Sequence, residues 1–325
     1  MPATLDERDY ERITGSDAWI ARKLDSNRSC RLLNMLDKKG VKTEKALISI
    51  VITTCNRSTG ILKRAVKSAV DQTYANKEII VINDGAGNED IIRNALAGFK
   101  EVRFVQNTGE HGVSNVRNLA VDEARGKYLA FLDDDDEWLP EKLELQYEAA
   151  DDDTGLVYCD YYAIKDGKVL RSDDSKEYPR GEVFSKLLGS NFVGGCSIPL
   201  IKKEALLKAG KFDTNISFGE DYDMWLRIAK EYKVGCVPRR LMKYYIGKES
   251  LTQSFERRMD GWEYLLDKYS GDFKKHPDAY KEYTSTNVRE AAKRASLKYS
   301  AGVWKKYGNT GEYIKGIIMK ILRVY

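Results

Sequence analysis

The sequence has few of the residues that build disulfide frameworks and soft-metal sites, and it has no long apolar run. Its five cysteines lie far apart without a C-x-x-C pair, which argues against a disulfide framework or a zinc knuckle and indicates a reducing compartment. Because only two histidines are present, any bound metal is expected to be a hard cation held by oxygen ligands. No signal segment is visible, and no apolar stretch reaches the ~18 residues of a membrane-spanning helix. We therefore expect a cytoplasmic protein.

Positive charge is in slight excess and is concentrated near the C-terminus. The net charge of +4 over 325 residues is too small to indicate a nucleic-acid partner. Residues 271–325 contain 12 Lys and Arg against 5 Asp and Glu, so the rest of the chain is slightly acidic. A hydrophobic content of 42% with only six prolines is typical of a globular α/β protein.

The middle of the chain alternates between strand and helix patterns. A β-branched run at 47–52 is typical of a strand buried on both faces, and a similar run follows at 78–82 after apolar residues at helical spacing. The alternation continues with strands at 102–106 and 128–132 and helices at 89–97 and 113–124. Four strands alternating with helices predict a parallel sheet with right-handed crossovers.

The remaining segments are less regular. We predict strands at 155–162, 196–201 and 233–238, and helices at 203–208 and 222–230. Helical patterns dominate after residue 257 and recur in short pieces before residue 45. The predicted parts are a helical N-terminal arm (1–45), the two halves of an α/β domain (46–155 and 156–256) and a helical, basic C-terminal extension (257–325).

Polar residues follow three of the predicted strands. Residues 53–57 follow the first strand, 83–85 the second, and four consecutive aspartates, Asp133–Asp136, the fourth. Ligands of open parallel sheets bind beyond these strand ends. Because adjacent carboxylates repel one another, the cluster predicts Mg²⁺ or Mn²⁺, completed by phosphate oxygens and water. In an extended segment Asp133 and Asp135 would share one face. The alternative is a solvated acidic turn before a helix.

Two common nucleotide-binding loops are absent. The segment 53–60 contains no G-x-G-x-x-G, and 85–90 lacks the third glycine and offers carboxylates where a pyrophosphate would lie. The eight-residue phosphate-loop motif is missing as well. We therefore do not expect a dinucleotide cofactor or P-loop hydrolysis.

A second acidic group, at 220–223, lies at the start of the helix predicted at 222–230. A carboxylate held there can act as a general base toward a hydroxyl. The same residues can instead stabilise the N-terminus of the helix through its dipole. The spacing alone leaves both interpretations open.

Five motifs in order resemble the inverting, metal-dependent glycosyltransferases of family 2. The resemblance covers about residues 46–238 and rests on the segments 48–57, 78–85, 112–118, 131–140 and 219–227. It implies the GT-A type of α/β fold, a Rossmann-like, mostly parallel sheet flanked by helices, here with the N-terminal arm and the C-terminal extension added.

The resemblance assigns a nucleotide site to residues after the first two strands. Thr53 and Asp84 would line the pocket for the base, and Arg57 lies in the same first loop. Cys55 stands where the family often has an aromatic residue that stacks on the base. Arg117 would lie beside the nucleotide.

The resemblance also assigns the metal and the base. Asp133 and Asp135 fall on the acids of the D-x-D-type motif, of which Asp135 usually reaches the metal, and Asp134 would lie near the ribose. Asp221 falls on the family's general base, with Glu220 before it.

The implied reaction transfers a sugar from a nucleotide-diphosphate sugar, with UDP favoured, to a hydroxyl of a glycan or glycolipid. The Q-x-x-R-W motif of processive synthases is absent, which favours a single addition. Two alternatives remain: a nucleotidyltransferase with a similar acidic metal site, and a nucleotide-sugar-binding protein without catalysis.

The C-terminal segment contains an apolar helical stripe. Its isoleucines, Ile314, Ile317, Ile318 and Ile321, share one face, whereas Lys315, Lys320 and Arg323 lie off it. Such a helix can dock on the anionic inner face of a membrane that carries a lipid-linked acceptor. The alternative is that it packs against the catalytic domain or, in a homo-oligomer, against a second subunit.

Overall fold

The computed structural model describes residues 45–170, 177–247 and 255–321. The helical arm predicted at 1–45 lies outside these residues, apart from Lys45. None of the helices in the described ranges is long and apolar enough to cross a membrane.

The first half of the sheet is parallel, as the strand–helix alternation predicts. Its strand order is β3-β2-β1-β4, and the connections are helices. All but one of the residues in β1 are buried, which explains why the strand shows no apolar–polar alternation. The elements are β1 (Ile48–Thr54), α1 (Thr59–Val70), β2 (Lys77–Asn83), α2 (Glu89–Leu96), β3 (Val102–Gln106), α3 (Val113–Glu123) and β4 (Tyr128–Asp133).

The second half continues the same sheet with mixed strand directions. A short strand, β8, pairs antiparallel with β4, and the order then runs β6-β9-β5, with β7 paired to β6. The elements are β5 (Glu137–Trp138), α4 (Lys142–Glu148), β6 (Thr154–Lys165), β7 (Lys168–Val169), α5 (Phe184–Gly189), β8 (Leu200–Lys202), α6 (Lys203–Lys208), α7 (Glu220–Ala229) and β9 (Lys233–Tyr245).

Several predicted boundaries in this half were wrong, including the end of the strand predicted at 233–238, since β9 continues to Tyr245. The strand predicted at 196–201 is limited to β8, because the preceding residues form a turn in which Ile198 N donates to the carbonyl of Gly195 at 3.1 Å. Gly194 enters this turn with φ of +88°, a conformation that favours glycine. Helix α7 begins at Glu220, two residues before the predicted start, so Glu220 and Asp221 lie in its first turn.

Five helices form the C-terminal extension as far as residue 321, and part of it shares the main hydrophobic core. The aromatic side chains of Tyr269, Phe273 and Tyr283 are buried in that core with the residues of α7. The helices are α8 (Phe255–Lys268), α9 (Ser270–Lys275), α10 (Pro277–Arg294), α11 (Leu297–Tyr307) and α12 (Thr310–Ile321).

The last helix packs through Gly316 rather than through its isoleucines. Gly316 is buried against the carbonyl of Arg289, and a side chain there would meet the Cβ of Ala292 at 2.6 Å. Ile317 is half-buried at the flank of the helix. Three of the four isoleucines, Ile314, Ile318 and Ile321, are exposed, so packing of that face within the described chain was a wrong expectation.

Close backbone contact joins the extension to the loop before α7. Gly261 of α8 lies so near Phe218 that a Cβ would overlap the carbonyl oxygen of Phe218. Replacement of Gly261 by alanine should therefore force the two segments apart. We expect Gly261→Ala to lower the free energy of unfolding by about 1–3 kcal/mol, the range for overpacked sites.

Urea unfolding measures this effect, and Gly302→Ala provides the matched control. Gly302 also lies within a helix, but a Cβ there would meet nothing within 4 Å. Since alanine favours helix, the control should gain up to about 1 kcal/mol. Equal stability changes in the two variants would contradict the close contact.

Candidate active site

The carboxyl ends of β1, β2 and β4 lie side by side at one edge of the sheet. In the strand register Thr53 lies opposite Asp133, and Thr54 lies opposite Asn83. The polar residues that follow these strands therefore meet at one rim, where open parallel sheets bind their ligands.

The aspartate cluster forms a tight turn. Strand β4 ends at Asp133, and the backbone N–H of Asp136 donates to the carbonyl of Asp133 at 3.1 Å. The predicted extended alternation was therefore wrong. The solvated-turn alternative was also wrong for two members, because Asp134 and Asp136 are only 5% and 2% exposed.

Arg57 neutralises part of this cluster. Its Nε donates to Asp134 Oδ1 at 2.8 Å, and its Nη2 lies 3.0 Å from Asp135 Oδ2. The hydroxyl of Thr54 donates to the other oxygen of Asp134 at 2.6 Å. Both carboxylate oxygens of Asp134 thus accept hydrogen bonds, one from the last residue of β1 and one from the loop that follows.

A buried arginine, Arg117, joins the cluster to helix α7. Its Nη2 lies 3.0 Å from Asp133 Oδ1, and its Nη1 lies 2.5 Å from Glu220 Oε1. The side chain of Arg117 is only 7% exposed, so solvent screens these two ion pairs weakly. The backbone N–H of Asp133 also donates to the hydroxyl oxygen of Ser197 at 3.0 Å.

The two arginines leave negative charge uncompensated at the rim. Burial raises the pKa of Asp135, as do the charges of Asp133 and Asp134, although Arg57 opposes the shift. Burial and the charge of Asp133 also raise the pKa of Asp136 well above its usual range. Even with Asp136 protonated, the guanidinium groups of Arg57 and Arg117 cannot balance the other three aspartates together with Glu220, and the surplus negative charge suits a divalent cation.

The acidic oxygens fit a cation that takes only part of its ligands from protein. No three His, Cys, Asp or Glu side chains within the described ranges converge as a complete metal site. Asp133 and Asp135 are the more accessible acids of the turn, with side chains 38% and 29% exposed. Mg²⁺ typically takes one or two carboxylates together with phosphate oxygens and water.

Asp221 lies in the first turn of α7, next to Glu220. Its Oδ1 accepts a hydrogen bond from the N–H of Tyr222 at 2.6 Å. Its Oδ2 lies 3.8 Å from the position that a Cβ atom on Gly195 would occupy. Burial, with the charge of Glu220, raises the pKa of Asp221 to about 7, although Arg117 opposes the shift. A carboxylate stabilised by the helix dipole would have a lowered pKa, so the shift favours the general-base interpretation.

A fully buried carboxylate, Asp223, anchors the helix that carries Asp221. It accepts from Arg227 Nε at 2.8 Å and from the hydroxyl of Tyr269 at 2.9 Å, and its Oδ1 lies 2.8 Å from Lys268 Nζ. Two of these partners belong to the C-terminal extension. No local sequence signal links them to α7, so the sequence analysis missed them.

Asp84 lies at the end of β2 and holds the loop before α3. Its carboxylate accepts from Asn107 Nδ2 at 2.7 Å and from the N–H of Gly112 at 3.0 Å, and it lies 2.8 Å from His111 Nδ1. Burial alone would raise the pKa of Asp84, but these hydrogen bonds hold it below its usual value. Cys55 is exposed beside this group, where the charge of Asp84 adds to burial in raising the pKa of the thiol.

Comparison with known proteins identifies the family. The chain is 30% identical over 240 residues to an uncharacterised glycosyltransferase of Methanocaldococcus jannaschii, covering 72% of this chain and 82% of the relative. The chain belongs to glycosyltransferase family 2. The family model, described as glycosyl transferase family 2, matches residues 49–208 of this glycosyltransferase.

Further relatives agree with the family and the fold. The glycosyltransferase is 25% identical to the Escherichia coli enzyme UDP-Glc:alpha-D-GlcNAc-diphosphoundecaprenol beta-1,3-glucosyltransferase WfgD, covering 79% of this chain and 98% of that protein. Three Rickettsia relatives are longer, and the chain spans only 31, 39 and 40% of them.

Two solved structures show the GT-A fold. The mannosyltransferase PcManGT from Pyrobaculum calidifontis, in complex with GDP-Man and Mn²⁺, has a TM-score of 0.59 at 16% identity, over 97% of this chain and 98% of that one. S. aureus TarS 1-349 in complex with UDP-GlcNAc has a TM-score of 0.58 at 13% identity, over 86% and 81%.

Loss of the buried Arg117 should leave Asp133 and Glu220 of the glycosyltransferase without their cationic partner. We expect Arg117→Met to lower the free energy of unfolding by about 3 kcal/mol at pH 8. The deficit should shrink toward pH 5, because Arg117 lowers the pKa of Asp221, and this favourable contact is lost once Asp221, with a pKa of about 7, is protonated.

Urea unfolding across this pH range measures the effect. Arg93→Met is the matched control, since Arg93 pairs with Glu89 one helical turn away on the surface and its loss should cost at most about 1 kcal/mol. A deficit for Arg117→Met that is small, or that does not change with pH, would contradict the bridging role.

Proposed function

We propose that this glycosyltransferase moves a sugar from a nucleotide-diphosphate sugar to an acceptor hydroxyl in a single, inverting displacement. The observation that carries the proposal is the connected set of charged groups from the rim to α7. Arg117 links Asp133 to Glu220, and the adjacent Asp221 has a pKa of about 7. A carboxylate of that pKa accepts a proton from a hydroxyl near neutral pH and does not need to form a covalent intermediate.

The donor side of the site lies beyond β1 and β2. We assign the base pocket to Thr53, Cys55 and Asp84, with Arg57 and Arg117 on the side of the diphosphate, and we favour UDP as the carrier. Related proteins support a nucleotide sugar: TarS was solved with UDP-GlcNAc, and WfgD is named as a transferase that uses UDP-Glc. PcManGT was solved with GDP-Man, so the donor screen below includes guanosine sugars.

Asp134 has less freedom than the family resemblance implies. Its two oxygens already accept hydrogen bonds from Thr54 and Arg57, and the residue is 5% exposed. Contact with a ribose requires one of these hydrogen bonds to open. We therefore assign Asp134 primarily to the positioning of Arg57.

Asp133 and Asp135 are the residues proposed to hold Mg²⁺ or Mn²⁺. When bound, the cation supplies positive charge opposite the diphosphate that leaves. Support comes from the surplus of negative charge at the rim and from the Mn²⁺ in the PcManGT complex. Arg57 and Arg117 hold these carboxylates in place through hydrogen bonds and ion pairs.

The acceptor hydroxyl is proposed to enter between Asp221 and the loop at Gly195. Asp221 takes the hydroxyl proton as the oxygen attacks the anomeric carbon, and the bond to the nucleoside diphosphate breaks on the opposite side. The absence of a side chain at Gly195 leaves room beside Asp221 Oδ2. We propose a glycan or lipid-linked glycan as acceptor, a class to which the lipid diphosphate named for WfgD belongs.

Removal of the base should strongly reduce the rate of transfer and remove its pH dependence. We expect Asp221→Asn to lower kcat/KM by roughly 10²–10⁴-fold. In the wild type kcat/KM should rise with pH through about 7, because Asp221 must lose its proton before it can accept one. This rise should be missing from the residual activity of the variant. Release of nucleoside diphosphate from UDP-, GDP- and dTDP-sugars between pH 5 and 9 measures both effects.

Asp90→Asn is the matched control, because Asp90 is an exposed acid in the first turn of α2. It should retain wild-type rates at every pH. Full activity in a folded Asp221→Asn variant would refute the assignment of the base. Release of pyrophosphate instead of nucleoside diphosphate would favour a nucleotidyltransferase.

Dependence on a divalent cation tests the aspartate turn. A chelator should abolish turnover, and Mn²⁺ or Mg²⁺ should restore it. We expect Asp135→Asn to raise the cation concentration needed for half-maximal activity about tenfold or more, since it removes a charged ligand. Asp152→Asn, an exposed site away from the rim, should leave that concentration unchanged. Full turnover of the wild type in the chelator would overturn the cation assignment.

A further inference from the structure

Helix α12 carries an exposed apolar face. Ile314, Ile318 and Ile321 follow one another at spacings of four and three residues and therefore lie on the same side of the helix. They are 52, 49 and 73% exposed, while Gly316 on the opposite side packs against α10. We call these three side chains the isoleucine face.

A fourth large aliphatic side chain lies near the same end of the helix. Lys320 Nζ donates to the carbonyl of Ala295, which brings the end of α12 beside the start of α11. Leu297, the first residue of α11, is 65% exposed. Large aliphatic side chains concentrated in one exposed region are typical of a surface that contacts another phase or molecule.

The helices that carry this apolar surface have an excess of positive charge. Residues 277–321 contain nine Lys and Arg against four Asp and Glu. Two of the acids are already paired, Glu290 with Arg294 and Glu312 with Arg289. The side chain of Lys315, at the edge of the isoleucine face, is 59% exposed, with its Nζ 3.9 Å from Glu312, and Lys298 beside Leu297 is also exposed.

The charges favour an anionic surface over a second copy of the chain. A twofold dimer would place the isoleucine face against itself, and the flanking lysines would meet lysines of like charge. An anionic bilayer instead accepts the aliphatic side chains at its headgroup boundary and attracts the lysines around them.

We propose that the isoleucine face, with Leu297, docks on an anionic lipid surface. The benefit of such docking rests on the proposed function, because docking would hold the enzyme beside a lipid-linked acceptor. The docking itself requires no catalysis, and the two proposals can therefore fail separately.

Vesicle co-sedimentation of the full chain tests the docking. The probes are vesicles of phosphatidylcholine alone and of phosphatidylcholine mixed with phosphatidylglycerol. We expect the wild type to bind the anionic vesicles about tenfold more tightly than the neutral ones, and Ile314→Gln/Ile318→Gln/Ile321→Gln to lose about tenfold in binding. The control Ile91→Gln/Val169→Gln alters exposed aliphatic residues elsewhere, 58% and 49% exposed, and should bind as the wild type does.

Donor turnover without vesicles provides the second measurement. Turnover should be equal in the wild type and both variants. Equal turnover would show that the triple variant is folded and that its loss of vesicle binding comes from the altered isoleucine face. Equal vesicle binding by the wild type and the triple variant would overturn the proposal. The proposal would also be overturned if the wild type did not bind anionic vesicles but formed a dimer that the triple substitution abolished. The isoleucine face would then be a subunit interface.

Discussion

The buried ion pairs of Arg117 are the interaction on which the rest of the site depends. One guanidinium group contacts a carboxylate at the end of β4 and another in the first turn of α7, at 3.0 and 2.5 Å. Acidic groups gathered in a poorly solvated place repel one another unless a cation lies between them. Arg117 permits Asp133 and Glu220 to approach each other. It therefore allows a strand from the donor half and a helix from the second half to form one centre.

The C-terminal extension supports the same centre by contacting the helix that carries Asp221. Lys268 and Tyr269 contact the buried carboxylate of Asp223, two residues beyond Asp221 on the same helix. Gly261 permits α8 to approach the loop that precedes this helix. The extension is thus integral to the position of Asp221, while its last helix leaves an apolar face outward.

Much of the sheet could be predicted from sequence because buried parallel strands have a plain signature. The β-branched runs of β1 and β2 are buried almost throughout, and the intervening amphipathic helix follows from its spacing. The meeting of Thr53, Asn83 and Asp133 at one edge follows from the parallel arrangement alone. Family resemblance added the roles of particular acids.

Other features depend on contacts between distant segments and could not be predicted. The aspartate turn is fixed by Arg57, more than 70 residues earlier in the chain. The prediction of an extended segment with alternating side chains was therefore wrong. The turn at 196–198 replaced a predicted strand because the backbone of Ile198 bonds locally to Gly195. Partners such as Tyr269 for Asp223 carry no local pattern, since a tyrosine in a helix has many uses.

The anomeric configuration of the product tests the central claim most directly. If Asp221 activates the acceptor hydroxyl for a single in-line displacement, ¹H NMR of the first product formed should show the configuration opposite to that of the donor sugar. A product that retains the donor's configuration would require two displacements or a different nucleophile. That result would contradict the role of Asp221 and the geometry assigned to the site.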